Sequence, residues 1–168
     1  MRVVDLVVVT SLDERESFGT FYRRSYDRAV RLGILLGATR SEADDLAQDA
    51  FARMCRRWTE VRSPDQYLDA AIRNGWRSVH RRRRRGHGVA ESPDQSGTEE
   101  AVWDGVIDVD LARAIAALPP KHREVLVLRY YLDLSEREIA AVIGRPAGTV
   151  KSRLSRALAE LGRSVGDG

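Results

Sequence analysis

Apolar residues return at steps of three and four along almost the whole chain, the period of helices that bury one face. Phe18, Tyr22, Tyr26, Ala29, Leu32 and Leu36 form the first stripe, and Gly37 ends it as a residue tolerant of positive φ. Ser41 reads as the start of the next helix, with Asp44 three residues on in a capping-box arrangement. Its apolar face is Leu46, Ala47, Ala50, Phe51, Met54 and Trp58, and the opposite face holds Asp45, Gln48, Asp49, Arg53 and Arg56. Ser63 and Pro64 suit an N-cap and the first position of a third helix, which carries Tyr67, Leu68, Ala71, Ile72 and Val79 and runs out in arginine.

The pattern then stops. Residues 86–100 have no periodicity, little apolar content and much Gly, Ser and Pro, the composition of a linker. Periodicity resumes with Val109, Ala112, Ile115, Ala116 and Leu118, halted by Pro119 and Pro120, and continues through Val125, Leu126, Leu128 and Tyr131. The expected fold is all-α: two small helical domains, at 13–85 and 103–165, joined by a flexible linker at 86–102.

The last stretch is the most specific. Ser135 and Glu138 form a second capping box, with Ile139, Ala140 and Ile143 as a short apolar face behind it. Gly144 permits a tight turn, Arg145 and Pro146 break the helix, and a new one runs from about Ala147 to Leu161. Small Ala140 allows close approach, and Val150 packs the second helix onto the first, as a helix-turn-helix requires. Val150, Leu154, Ala157, Leu158 and Leu161 share the core face. Thr149, Lys151, Ser152, Arg153, Ser155 and Arg156 are left outside it. Short hydroxyls and long cations suit base edges and phosphates, although a helical hairpin with a charged, solvated face also fits the pattern.

Charge is uneven along the chain. Seven arginines and no acid fall between residues 73 and 85, and residues 81–85 are all arginine. Two or three cations would serve a helix C-terminus, but a run that circles the helix repels itself, and a polyanion relieves that repulsion. Tyr67 and Trp76 on the same segment suit either base stacking or the core.

Overall, the chain of 168 residues is 43% hydrophobic and 32% charged with a net charge of +3, enough for one domain or two small ones. Cys55 is the single cysteine, which rules out an intramolecular disulfide; on an apolar helix it reads as a small core residue. His80, His87 and His122 are scattered, so no metal site and no cofactor is expected. The run Val3, Val4, Asp5, Leu6, Val7, Val8, Val9 is too short to span a bilayer and lacks a cleavage site after a long apolar core, so a cytoplasmic protein with no membrane partner is expected. Residues 1–12 receive no role. By pattern alone, three classes remain. One is a factor with two nucleic-acid surfaces, another an ordinary helix-turn-helix repressor or activator, and the third a nucleic-acid-modifying enzyme with a helix-turn-helix appendage. The enzyme is least supported, for there are no paired carboxylates in a metal pattern, no phosphate-cradling glycine loop and no nucleophile with a base.

Four segments carry a family resemblance: Asp44-Asp45-Leu46-Ala47-Gln48-Asp49-Ala50-Phe51; Ala116 with Leu118-Pro119; Leu134-Ser135-Glu136-Arg137-Glu138-Ile139-Ala140; and Gly148-Thr149-Val150-Lys151-Ser152-Arg153-Leu154-Ser155-Arg156-Ala157. Together they resemble the extracytoplasmic-function (ECF) sigma factors of bacterial RNA polymerase, in the sigma-E-like actinobacterial group, over about residues 14–163. The resemblance implies that 13–85 is sigma region 2 and 103–165 is sigma region 4. Its implied partners are core RNA polymerase, through the β′ clamp helices and the β flap, and promoter DNA, with an anti-sigma factor as a further candidate. Asp45, Gln48, Asp49 and Arg53 match the polymerase-docking face, with Arg56 nearby. Asn74, with Arg73, Arg77, Arg81 and Arg82, matches the segment that reads the melted −10 element, beside the loop at 61–66. Thr149, Lys151, Ser152, Arg153, Ser155 and Arg156 match the reader of the −35 element. Such a protein needs no acid, base or nucleophile. It adds specific contacts to a polymerase and holds an unstacked base, whose extrusion costs a few kcal/mol.

Overall fold

The computed structural model describes residues 16–86 and 109–166; the expectations for residues 1–12 and for the linker beyond Gly86 fall outside them. All regular structure among the described residues is helical: α1 (Phe18–Leu36), α2 (Arg40–Cys55), a 3-10 turn at Trp58–Glu60, α3 (Pro64–Gly86), α4 (Val109–Ala117), α5 (Pro120–Tyr130), α6 (Glu136–Ile143) and α7 (Ala147–Gly166).

Helix α1 begins at Ser17, whose hydroxyl accepts from the Thr20 amide, and ends at Gly37 with φ of 108°. The start of α2 differs from the sequence expectation. The capping box is Thr39 with Glu42, two residues before Ser41, and the Glu42 carboxylate reaches back to the Thr39 amide at 2.9 Å. Helices α1, α2 and α3 pack on one another around Phe21, Leu32, Leu36, Phe51, Met54, Leu68 and Ile72, all nearly inaccessible to water. Full burial of such side chains stabilises by about 1.5–3 kcal/mol each.

Trp76 belongs to this core at 7% exposure, so its packing role prevails over a stacking one, while Tyr67 is half-buried. Cys55 departs from expectation: it is exposed. As the last residue of α2 it follows buried Met54 and turns away from the bundle.

In the second half, α7 packs against α4, α5 and α6. Val125, Leu128, Ile139, Val150 and Leu154 form a small core of their own. The larger core crosses between the halves, for Ala112, Ile115, Leu118, Leu126, Val127 and Ala157 join the cluster of α1–α3. Helix α1 is the bridge, meeting both α4 and α5.

Candidate nucleic-acid interface

The helix-turn-helix is built by its caps. Ser135 accepts from the Glu138 amide, and the Glu138 carboxylate accepts from the Ser135 amide at 2.8 Å. The Ser135 hydroxyl, which also donates to that carboxylate, and then the Ser135 amide hold the Glu138 carboxyl below its ordinary range. Gly144 ends α6 with φ of 63°, and its amide donates to the Ala140 carbonyl. The Pro146 carbonyl then accepts from Thr149 and Val150, which starts α7. Ile139 and Val150 are fully buried between the two helices.

That burial orients α7. With Val150, Leu154 and Ala157 inward, Lys151, Ser152, Ser155 and Arg156 stand exposed on the other side, and Thr149 and Arg153 lie half-buried at the flanks. Ser152 is partly committed, since its hydroxyl donates to the Thr149 carbonyl at 3.0 Å. Leu158, read from the sequence as core, is 45% exposed. Leu161 does pack against the core.

On α2, Asp45, Gln48, Asp49 and Arg53 are all exposed, and Arg53 pairs with Asp49 one turn away at 3.4 Å. Asp45, Gln48 and Asp49 line a cleft of about 520 Å³ with Glu42, Leu46, Val79 and Arg82. Arg82 therefore joins the acidic face of α2, rather than standing apart from it. A second cleft of about 370 Å³ lies at the start of α3, lined by Arg57, Glu60, Val61, Arg62, Ser63, Gln66 and Tyr67.

Along α3, Asn74, Arg81 and Arg82 are exposed. Arg73 and Arg77 are half-buried, and Arg77 is bound to the second half of the chain through Glu124 and the Val142 carbonyl. Sequence reasoning passed over Glu124, which reads as one more solvated acid, and the buried Arg123 beside it. His122, read there only as one of three scattered histidines, is buried with its Nδ1 3.2 Å from the Glu160 carboxylate. Among the described residues no group of His, Cys, Asp and Glu is placed to hold a metal ion, and no helix is long and apolar enough to cross a membrane.

A capped helix-turn-helix whose outer face is cationic and hydroxylic, beside a second helical unit with an arginine-rich helix, defines a DNA-binding regulatory protein. Comparison with known proteins makes this specific. The profile of sigma-70 region 4 matches residues 108–161. The RNA polymerase sigma-E factor of Streptomyces coelicolor is 35% identical over 151 residues, covering 86% of this chain and 83% of that protein. The protein of the same name from Streptomyces antibioticus is 37% identical over 123 residues, covering 71% and 68%. Among solved structures, the sigma factor RpoE in complex with the anti-sigma factor NepR from Bartonella quintana matches with a TM-score of 0.64 at 26% identity, over 86% of this chain and 96% of that one. The chain belongs to the ECF sigma factors of RNA polymerase, in the sigma-E-like group. Its class of function is promoter-specific initiation of transcription.

Proposed function

We propose that residues 13–85 and 103–165 work as two separate promoter readers carried by one polymerase. Helix α7 enters the major groove of the −35 element with Lys151, Ser152, Ser155 and Arg156, while Thr149 and Arg153 hold phosphates. Helix α3 takes the melted −10 strand along Arg73, Asn74, Arg77, Arg81 and Arg82, with an unstacked base in the cleft formed by 57–67. The Asn74 amide offers both donor and acceptor to a base edge. The exposed face of Asp45, Gln48, Asp49 and Arg53 docks on the β′ clamp helices, and the second unit meets the β flap. An anti-sigma factor is a further partner, supported by the solved relative bound to one.

The observation that carries this reading is the α6–α7 unit. Two caps and a buried Ile139–Val150 contact hold four exposed polar side chains of α7 on one face. An ordinary repressor also has such a unit, and the acidic face of α2 is what separates the two readings. The test is run-off transcription with core bacterial RNA polymerase on pooled genomic fragments, using wild type and a Gln48→Ala/Asp49→Ala variant. Wild type directs discrete start sites and the variant loses them. A wild type that directs none, yet binds a duplex operator without polymerase, is a repressor or activator instead.

A further inference from the structure

The arginine run that closes α3 does not point one way. Arg81 follows Asn74 by seven positions and so shares its exposed face, about 20° away around the helix. Arg82 follows Gly75 by seven and Val79 by three, which turns it about 100° further round, toward α2. Arg83 follows Trp76 by seven. Its guanidinium lies over the Trp76 ring, 5.5 Å from the centroid, and donates to the Glu42 carboxylate. Three successive cations therefore meet three surroundings: solvent beside Asn74, a cleft, and the protein itself.

The cleft beneath Arg82 is made where α2 packs on α3. Gly75 leaves room there for the Leu46 side chain, whose Cδ2 would stand 2.6 Å from a β-carbon at that position. Leu46 and Val79, both half-buried, line the cleft together with Glu42, Asp45, Gln48, Asp49 and Arg82. Glu42 is engaged within the chain: one carboxylate oxygen accepts from Arg83, and the other from the Thr39 amide and hydroxyl. Asp49 has Arg53 at 3.4 Å. Asp45 and Arg82 are exposed and form no ion pair among the described residues.

These surroundings decide what Arg82 can bind. A nucleic-acid phosphate brought to it also approaches Asp45 and Asp49, and like charges repel. A protein helix has the matching chemistry. One apolar side chain covers Leu46 and Val79, a carboxylate pairs with Arg82, and a cation pairs with Asp45. The cleft is also continuous with the exposed face of α2, because Asp45, Gln48 and Asp49 belong to both.

We propose that Arg82 is a polymerase-docking residue rather than a strand-binding one. The cleft between α2 and α3 receives a helix of core RNA polymerase, which presents a carboxylate to Arg82 and a cation to Asp45 on either side of an apolar side chain. Arg82 thereby leaves the strand-binding row described above, and Val79 joins the docking floor. This placement rests on the docking role proposed for the exposed face of α2.

The test compares Arg82→Glu with Arg81→Glu in the full chain, two neighbouring substitutions that change the net charge equally. Affinity for core RNA polymerase is measured without DNA. Binding of a fluorescent single-stranded oligonucleotide of mixed sequence is then measured with polymerase saturating. Arg82→Glu is expected to bind polymerase about tenfold more weakly than Arg81→Glu does, the ratio that about 1.4 kcal/mol provides. For the oligonucleotide the order reverses, and Arg81→Glu is the weaker binder. If circular dichroism shows that Arg82→Glu loses helix, Arg82→Gln and Arg81→Gln are compared by the same criteria. Equal polymerase affinities in the two variants overturn the proposal, and so does a strand defect in Arg82→Glu as large as that of Arg81→Glu. Either result, with wild type still bound to polymerase, leaves the docking role of α2 in place. A wild type that does not bind core polymerase removes that role and this proposal together.

Discussion

Gly33 of α1 and Ala43 of α2 approach so closely that a β-carbon on Gly33 would stand 2.9 Å from the Ala43 methyl and 3.2 Å from its α-carbon. Neither neighbouring atom can swing aside, since one is backbone and the other is fixed to it. Gly33→Ala is therefore expected to push α1 from α2. The overpacking costs about 1–3 kcal/mol, offset in part by the better helix propensity of alanine, about 1 kcal/mol. Thermal unfolding gives the sign as a lowered Tm. Adding Ala43→Gly removes the closer of the two contacts, so the double variant loses less stability than the two single changes summed.

Ile139 is the fully buried pin between the two helices of the helix-turn-helix. Ile139→Ala is expected to cost about 2–5 kcal/mol, the usual range for such a cavity. Denaturant titration measures it. Duplex binding falls with stability, because α7 then loses the support that orients its outer face.

Lys151 and Arg156 stand exposed on that outer face. In promoter-duplex binding measured over a salt series, Lys151→Ala and Arg156→Ala are each expected to weaken affinity. Where the side chain holds a phosphate, the slope of log affinity against log salt falls by about 1. Where it holds a base edge, discrimination against the wrong base falls by about 1–3 kcal/mol with the slope unchanged. An unaltered affinity in both variants overturns the assignment of this face.

The Ser135–Glu138 box makes acid a probe of the helix-turn-helix. The folded-state pKa of Glu138 is depressed below its ordinary value of 4.5, chiefly by the Ser135 hydroxyl and then by the Ser135 amide. Its contribution is thus fully present above the unfolded-state value and lost as pH falls through the folded-state one. Thermal melts across that acid range are expected to fall less steeply for Glu138→Gln than for wild type.

Much of this was legible in the sequence, because helix periodicity and caps are local signals. Gly37, the Ser135–Glu138 box, Gly144 and the Ile139–Val150 contact are all read within ten or so residues. The failures are physical too. Ser41 with Asp44 and Thr39 with Glu42 share one spacing, but only the longer glutamate is seen to reach its N-cap amide. Leu158 lies roughly 80° around the helix from Val150, at the margin of the core stripe, and stays exposed there. For the candidate site, the exposed residues of α2 and α7 followed from the stripes opposite them. The engagement of Arg77 did not, because its partner is 47 positions away and across a segment with no periodic signal.

The corner between α4 and α5 has a mechanical consequence. Pro119 and Pro120 fix the backbone there, while Arg123 reaches back to the Ala116 and Leu118 carbonyls and clamps the two helices together. Helix α7 is packed against both of them. Helix α7 and this corner are consequently packed as one unit. Under the proposed function, a displacement of α4 is expected to carry the outer face of α7 with it.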